Sequence, residues 1–259
     1  MEEPFCREAG TGPGIVCLHS NASSSSQWRA LMDNLAPAFH VLAPDSFGAG
    51  KGLPWPLDRP IRLADEATML EPVFGRAGEP FTLVGHSYGA AVALVAALAR
   101  PQRIRALAIY EPTLFAVVER PEEIAGIHAA VAGSVAALRR GDGDGAARAF
   151  IDFWMGDGAW ANTPEARKAP IVASVANVQG WADALLGEPA PLAAFAALDM
   201  PVLLMVGKAS PMSSLAVARR LATTLPKVEL VEFDGLGHMA PVTHPAPVNA
   251  AIRAFLGRV

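Results

Sequence analysis

The motif GHSYG at residues 85–89 places a serine, Ser87, between two glycines in the pattern G-x-S-x-G. An apolar segment, FTLV at 81–84, leads into the motif, and the Ala-rich segment AAVALVAALA at 90–99 follows it. A strand–turn–helix of this kind exposes a serine hydroxyl above a sheet and directs the helix N-terminus towards the reacting atoms. Glycines are needed because the turn is tight and the helix lies close to the strand. The pattern therefore predicts that Ser87 is a nucleophile rather than a structural turn serine.

Six short apolar segments supply the strands that must position this serine. Most are continuously apolar rather than alternating, as expected for strands covered on both faces. Between them, apolar residues recur at helical spacing, as in 28–35, 218–225 and 248–255. Strands alternating with helices predict an α/β fold, a mostly parallel sheet with helices on both faces. The predicted strands are residues 14–19, 40–44, 81–86, 106–110, 201–207 and 228–233.

One long segment, residues 113–199, breaks this alternation. It contains helix-like stretches separated by breakers such as GDGDG at 141–145. Asp142 and Asp144 superficially resemble a calcium loop, but the third ligand position is Ala146, so a turn between helices is favoured. We therefore predict a core domain formed by residues 1–112 and 200–259, with residues 113–199 inserted as a helical cap or lid.

These features resemble the α/β-hydrolase family over nearly the whole chain. The matching parts follow the family's order: the strand ending at His19, the turn DSFGAG at 45–50, the motif around Ser87, the strand before Gly207, and the loop GLGH at 235–238. The resemblance implies a helical cap inserted after the sixth family strand. Only residues 4–8 are available for a strand ahead of residue 14, so the family's first strand is expected to be short or absent.

The resemblance also implies a base for the serine. A serine hydroxyl is a poor nucleophile until a base removes its proton, and histidine commonly does so. Of the six histidines, His238 lies just after the last predicted strand, in a loop similar to the family's late catalytic histidine loop. His19 and His86 occupy motif positions that carry supporting roles in relatives. We predict His238 as the general base.

Two backbone N–H groups are expected to hold the oxyanion of the tetrahedral intermediate. One should come from Tyr88, the residue after the nucleophile. The other should come from the loop after the His19 strand, where relatives usually carry His-Gly-x. Here the sequence is HSN at 19–21, so Asn21 supplies the second N–H by position, with Ser20 as the alternative.

The acid of the expected catalytic triad is displaced from its usual position. In most relatives an aspartate follows the strand ending at residue 207 by three residues, but this chain has Ser210, which carries no charge. Some α/β-hydrolases place the acid after the preceding strand, where this chain has Glu111. Asp234 is too close in sequence to the histidine to reach it easily, and Asp199 lies at the wrong end of its strand. We predict Glu111 as the acid.

Three of the five tryptophans, Trp154, Trp160 and Trp181, fall in the predicted cap. Packing within the cap and against the core is one explanation for them. The other is that they line an apolar pocket over the serine, because a cap must bury an apolar substrate and exclude water. We predict these three as pocket residues and a small apolar molecule as the substrate.

Composition excludes several classes of partner. The 259 residues are 52% hydrophobic and 18% charged, with a net charge of -4, so there is no basic surface for nucleic acid or anionic lipid. The longest apolar run, residues 90–99, is much shorter than the roughly 20 residues that span a bilayer. The acidic N-terminal segment lacks the features of a signal peptide. We expect a cytoplasmic protein with no membrane partner.

No metal ion or cofactor is expected. The two cysteines, Cys6 and Cys17, fit neither a disulfide framework nor a zinc site. The glycine-rich sequence GAGKG at 48–52 fails the phosphate-loop pattern at two positions.

The resemblance and these residues together predict a serine hydrolase that acts through an acyl-enzyme. A carboxylic ester of small to medium size and apolar character is the favoured substrate. Two alternatives stay open. The same site could cleave a C–C bond or act as a lyase, or the fold could serve as a non-catalytic small-molecule receptor, which the missing aspartate would permit.

Overall fold

Seven strands form one sheet in the computed structural model, which describes residues 3–259 of the chain. The first two residues of the acidic N-terminal segment lie outside the described part. The strands are β1 (Cys6–Ala9), β2 (Gly14–Leu18), β3 (His40–Pro44), β4 (Phe81–His86), β5 (Ile104–Tyr110), β6 (Val202–Gly207) and β7 (Val228–Phe233). Their order across the sheet is β1-β3-β2-β4-β5-β6-β7, and β1 alone of these runs antiparallel to its neighbour.

The six predicted strands are confirmed: three have the predicted bounds, and the other three differ by one or two residues at one end. The N-terminal segment adds a short edge strand, β1, which pairs Cys6 with Pro44 and Ala9 with Val41. Its four residues are mostly half-buried and carry no apolar pattern. Pairing with β3, rather than a local sequence preference, therefore defines this strand.

Eleven α-helices and four short 3-10 turns lie among the described residues. The helices are α1 (Arg29–Leu35), α2 (Leu63–Met69), α3 (Glu71–Ala77), α4 (Tyr88–Ala99), α5 (Pro121–Arg139), α6 (Gly143–Met155), α7 (Glu165–Val175), α8 (Val178–Leu186), α9 (Met212–Thr224), α10 (Ala240–Thr243) and α11 (Pro245–Leu256). The 3-10 turns are Ser25–Trp28, Pro101–Arg103, Phe115–Val117 and Leu192–Ala197.

Helices cover both faces of the sheet, as the continuously apolar strands predict. In β2, Ile15 and Cys17 belong to a core with α1 and α11, whereas Val16 and Leu18 belong to a core with α2, α3, α4 and α9. Successive side chains of a strand point to opposite faces, so a strand buried on both sides must be apolar at every position. The sheet is therefore packed on both faces, and the polar residues described below lie at the ends of its strands.

Helix α4 runs through the centre of this packing, directly after β4. Its residues from 88 to 97 are buried all round, which explains why the segment has no polar face. A Cβ atom on Gly85 would lie 2.6 Å from the Cα of Ala90, and one on Gly89 would collide with the carbonyl of Leu18. The two glycines of the motif thus let the helix approach the sheet closely.

The chain between β5 and β6 holds α5 to α8 and two of the 3-10 turns, with no strand among residues 111–201 of the described chain. The GDGDG sequence there is a turn between α5 and α6, as predicted. Asp142 caps α6, because its Oδ1 accepts the backbone N–H of Gly145 at 2.7 Å. We refer to residues 121–186 as the α5–α8 segment.

Among residues 3–259, the helices are all too short or too polar to cross a membrane.

We expect Gly89→Ala to lower the free energy of unfolding by about 1–3 kcal/mol, because the new methyl group meets strand backbone that cannot yield. Gly75→Ala is the matched control. Gly75 lies in α3 with open space around it, so this change should raise stability by about 0.5–1 kcal/mol. Urea unfolding followed by circular dichroism measures both. Equal midpoints for Gly89→Ala and the unaltered protein would contradict the close-approach argument.

Candidate active site

Ser87 sits on the sharp turn between β4 and α4, with φ 57° and ψ -117°. A positive φ is unfavourable for a residue with a Cβ, so neighbouring bonds must hold it. The N–H of Ser87 donates to the carbonyl of Tyr110 at 3.0 Å, and its own carbonyl accepts N–H groups of Ala90 and Ala91 at 3.0 and 3.1 Å. The turn is thus fixed at both ends, and its serine faces a cavity.

His238 connects Ser87 to Glu111 by two hydrogen bonds. Its Nε2 lies 2.9 Å from Ser87 Oγ, and its Nδ1 lies 2.7 Å from Glu111 Oε2. A carboxylate only accepts hydrogen bonds, so Nδ1 carries the proton and Nε2 accepts from the serine hydroxyl. All three side chains are buried. The structure therefore brings together the three predicted residues as one hydrogen-bonded series, Ser87–His238–Glu111.

Ser210 occupies the position expected for an aspartate. Its hydroxyl binds the carboxylate of Glu111, the residue predicted to take the place of that aspartate. Glu111 Oε1 accepts the Ser210 hydroxyl at 2.6 Å and the Gly207 N–H at 2.7 Å. The second oxygen of the carboxylate is thereby left for the histidine. Asp234, in contrast, is 89% exposed and pairs with Lys208 at 2.9 Å.

Two backbone N–H groups near Ser87 have no protein acceptor within the described residues. Tyr88 is the first residue of α4, where helix geometry leaves the N–H free. Asn21 lines the cavity beside Ser87, and its N–H is also free. The N–H of Ser20 instead donates to Gln27 Oε1 at 3.3 Å, which favours Asn21 over Ser20 as the second donor.

Buried His86 and half-buried Gln27 link His238 to this loop. His86 Nε2 lies 2.8 Å from the carbonyl oxygen of His238, and its Nδ1 lies 3.1 Å from Gln27 Nε2. Burial, followed by the nearby His238, lowers the pKa of His86 well below its usual value, so the ring is neutral. It therefore donates through Nε2 and accepts at Nδ1. Gln27 was not singled out in the sequence, because a glutamine among serines carries no signal.

His19 and Asp45 shape the loops around the site without touching Ser87. His19 Nδ1–H donates to the Ser20 carbonyl at 2.7 Å, and Nε2 accepts the Ser46 N–H at 3.1 Å. Burial also lowers the pKa of His19. Asp45 Oδ2 accepts the N–H of Lys51 at 2.8 Å, so the glycine-rich sequence is a turn held by a carboxylate.

A cavity of about 250 Å³ lies over Ser87 and His238. Its floor includes the loop from Ser20 to Ala22, and most of its wall comes from the α5–α8 segment and is apolar. Arg167 is the one Lys or Arg side chain in the wall, and no Asp or Glu lines it among the described residues. Representative apolar wall residues are Ile127, Val131, Phe150, Ile171, Val178 and Leu185.

Two of the three predicted pocket tryptophans line this cavity. Trp154 and Trp181 are wall residues, but Trp160 is not, which corrects that prediction. The Trp160 indole N–H donates to Asp144 at 2.8 Å, and its backbone N–H donates to Asp152 at 2.7 Å. These bonds hold Trp160 against α6, inside the packing of the segment.

Glu66 on α2 is a buried carboxyl that the sequence did not reveal, because α2 has no unusual pattern. Tyr88 Oη donates to Glu66 Oε1 at 3.2 Å, and the Phe47 N–H donates to Oε2 at 3.4 Å. Burial raises the pKa of Glu66 to about 8, since the charged form loses its hydration. A protonatable group thus contacts the side chain of Tyr88, the residue that follows Ser87.

Comparison with known proteins agrees with this fold. A sequence profile of the alpha/beta hydrolase fold family matches residues 13–245, so the chain belongs to that family. The chain is 29% identical to lipase LipV of Mycobacterium tuberculosis, with 97% of this chain and 96% of LipV covered. It is 28% identical to a haloalkane dehalogenase of Bradyrhizobium diazoefficiens, with 98% and 90% covered. An alpha/beta hydrolase structure from Sphaerobacter thermophilus has a TM-score of 0.72 and 26% identity, with 94% of both chains covered.

Among residues 3–259, His, Cys, Asp and Glu side chains form no group of three or more that could hold a metal ion.

Glu66 predicts a specific pH dependence of stability. Its pKa is about 8 in the folded protein and about 4.3 in an unfolded chain. Between these values the folded state binds more protons, so the Glu66 contribution falls as pH rises from about 4.3 to 8. Glu66→Gln has no carboxyl group to ionise, so its free energy of unfolding does not carry this pH-dependent decrease. The free energy of unfolding of Glu66→Gln minus that of the unaltered protein should therefore increase over this range, by a few kcal/mol. Urea unfolding at several pH values measures it, and parallel curves for the two proteins would contradict it.

Proposed function

We propose that the protein is a serine hydrolase that cleaves carboxylic esters of small to medium, apolar character through an acyl-enzyme. The observation that carries the proposal is the hydrogen-bonded series Ser87–His238–Glu111 at the floor of an apolar cavity. Each member has the bonding state that the reaction needs before substrate arrives.

The reaction begins when Ser87 Oγ attacks the ester carbonyl carbon and its proton passes to Nε2 of His238. Glu111 keeps its charge and stabilises the imidazolium that forms. The N–H groups of Tyr88 and Asn21 bind the oxyanion. The intermediate collapses as His238 gives the proton to the leaving alcohol oxygen. Water then attacks the acyl-enzyme with the same base, which releases the acid and restores Ser87.

The serine favours ester hydrolysis over the chemistry of the dehalogenase relative. Displacement of a halide by Ser87 would leave an alkyl ether on the enzyme, which has no carbonyl for water to attack. A carboxylate nucleophile forms an ester instead, and dehalogenase relatives carry aspartate at this position. The name of the lipase relative agrees with ester cleavage, and its match extends over nearly the whole chain.

In this proposal the α5–α8 segment acts as the predicted cap, residues 113–199. Its apolar wall suits an apolar acyl or alcohol group, because burial of apolar substrate surface favours binding and expels water from the reacting atoms. Of its predicted tryptophans, Trp154 and Trp181 would contact substrate in this arrangement.

A fluorophosphonate probe separates hydrolase from receptor. We expect the unaltered protein to gain the mass of one probe at Ser87, while Ser87→Ala gains none and Ser23→Ala labels normally. A panel of p-nitrophenyl esters of increasing chain length then measures ester hydrolysis. A folded protein that does not label would contradict the hydrolase and favour a receptor. Labelling without ester turnover would contradict the ester substrate and favour C–C bond cleavage.

Glu111→Gln should lower kcat by about 10²–10⁴-fold with little change in thermal stability. A neutral amide cannot stabilise the imidazolium, and its NH₂ group can leave His238 in the wrong tautomer. Asp234→Asn is the matched control and should keep the activity of the unaltered protein, because Asp234 pairs with Lys208 at the surface. Full activity in Glu111→Gln together with a loss in Asp234→Asn would overturn the assignment of the acid.

A further inference from the structure

The indole of Trp154 lies flat against the imidazole of His238. The ring centroids are 4.0 Å apart and the ring planes differ by 27°. Both residues are buried, with 8% and 1% of their surface exposed. The indole is held from its other sides by Phe150, at 6.2 Å and 70°, and by Phe153, at 4.7 Å and 75°. Helix α6 thus presents one aromatic face to the proposed base.

We propose that Trp154 is a positioning residue for the hydrolytic reaction, whose indole face stabilises the protonated form of His238 and holds its ring between Ser87 and Glu111. This inference rests on the proposed hydrolase function. It gives the α5–α8 segment a part in the proton transfer itself, in addition to forming the cavity wall.

The electrostatic argument depends on when the charge appears. The face of an indole carries negative electrostatic potential and attracts a cation lying over it. His238 is neutral while it accepts the Ser87 hydroxyl, and it becomes cationic as the proton transfers. The attraction is therefore stronger in the transition state than in the resting enzyme, which is the condition for an interaction to increase kcat. Exclusion of water by the surrounding apolar wall strengthens it.

The positioning argument depends on the contacts of the imidazole. Its Nε2 and Nδ1 are occupied by Ser87 and Glu111, which fix the ring within its own plane. Contact with Trp154 over one face opposes tilting out of that plane. Ser214 Oγ approaches Nδ1 at 3.4 Å and adds a weaker polar contact. A base held in this way needs little reorganisation when the proton moves.

Three other titratable side chains lie close to His238, and each is held by hydrogen bonds. Glu111 is the acceptor at 2.7 Å. The ring of His86 lies 5.2 Å away, centroid to centroid, and is neutral because of its burial. Tyr110 Oη donates to the carbonyl of Gly237 at 2.9 Å, and burial raises the pKa of Tyr110, so it stays protonated. A change at Trp154 therefore alters the aromatic contact without adding or removing a charge.

The test compares Trp154→Leu with Trp154→Phe in the full-length protein. Leucine keeps apolar bulk but has no π face, whereas phenylalanine keeps a smaller one. The readout is kcat/KM against pH for one neutral p-nitrophenyl ester. For Trp154→Leu we expect the acidic midpoint of this profile to move to lower pH by about 0.4–1.5 units and kcat to fall about 2–30-fold. The midpoint falls because protonation of the base loses a stabilising partner. Trp154→Phe should retain most of both values.

Trp181→Leu is the matched control, because Trp181 lines the same cavity and packs on Phe150 at 5.6 Å rather than on the histidine. It should change KM for long-chain esters and leave the acidic midpoint in place. An unmoved midpoint in Trp154→Leu, with a change in KM alone, would overturn the inference and leave Trp154 as cavity wall. The hydrolase proposal fails separately, when the unaltered protein neither labels at Ser87 nor hydrolyses esters.

A second measurement uses no substrate and covers the case in which Trp154→Leu does not fold. Protonated imidazole quenches the fluorescence of an indole in contact with it. The fluorescence of the unaltered protein minus that of Trp154→Phe should therefore decrease as pH falls through the acidic midpoint of activity. A difference signal that is flat across this midpoint would contradict the contact between indole and protonated base.

Discussion

A buried carboxylate at the end of β5 is the constraint on which the site depends. An ionised carboxyl group without partners is very costly inside a protein, so a completely buried Glu111 must have its oxygens hydrogen-bonded. Its partners come from three places: the end of β6, the loop after it, and the loop that carries His238. Satisfying one charge therefore brings three separate pieces of chain together at the same edge of the sheet.

A second set of bonds joins the base to the loop that carries the expected oxyanion donor. His238, His86, Gln27 and Ser20 form a continuous series in which each donor meets an acceptor. The series works only when His86 is neutral, and its burial ensures this. Two adjacent residues at the β4–α4 turn thus have different surroundings. Ser87 faces the cavity, whereas His86 is hydrogen-bonded to Gln27 and His238 inside the protein.

Short-range sequence patterns predict the fold, and they also single out Ser87 and His238 as candidate site residues. Ser87 lies in a motif whose glycines are required by local geometry, and His238 follows the last strand in a loop of recognisable sequence. Glu111 could be found by reasoning about topology, since parallel strands bring their carboxyl ends to one edge of the sheet. The structure adds Ser210, whose hydroxyl donates to the Glu111 carboxylate at 2.6 Å.

The remaining features depend on contacts between residues far apart in sequence. Gln27 and Glu66 acquire their importance from partners on other elements, and neither stands out from its neighbours. The same holds for β1, which exists because β3 is beside it. The sequence places Trp160 in the pocket because composition does not distinguish aromatic residues that line a cavity from those that pack between helices. In the structure, the Trp160 indole N–H donates to Asp144, and the side chain packs within the α5–α8 segment rather than lining the cavity.

The position of Glu111 has a mechanical consequence for the segment above it. The chain leaves the sheet at this residue and continues through the 3-10 turn Phe115–Val117 to α5. On the way, the N–H of Thr113 donates to the carbonyl of Ser87 at 3.4 Å. The backbone that places Glu111 beside His238 is therefore the same short stretch that leads out of the sheet towards the α5–α8 segment. A substitution within the α5–α8 segment can leave residues 111–113 in place, whereas a shift of this connection would move Glu111 relative to His238.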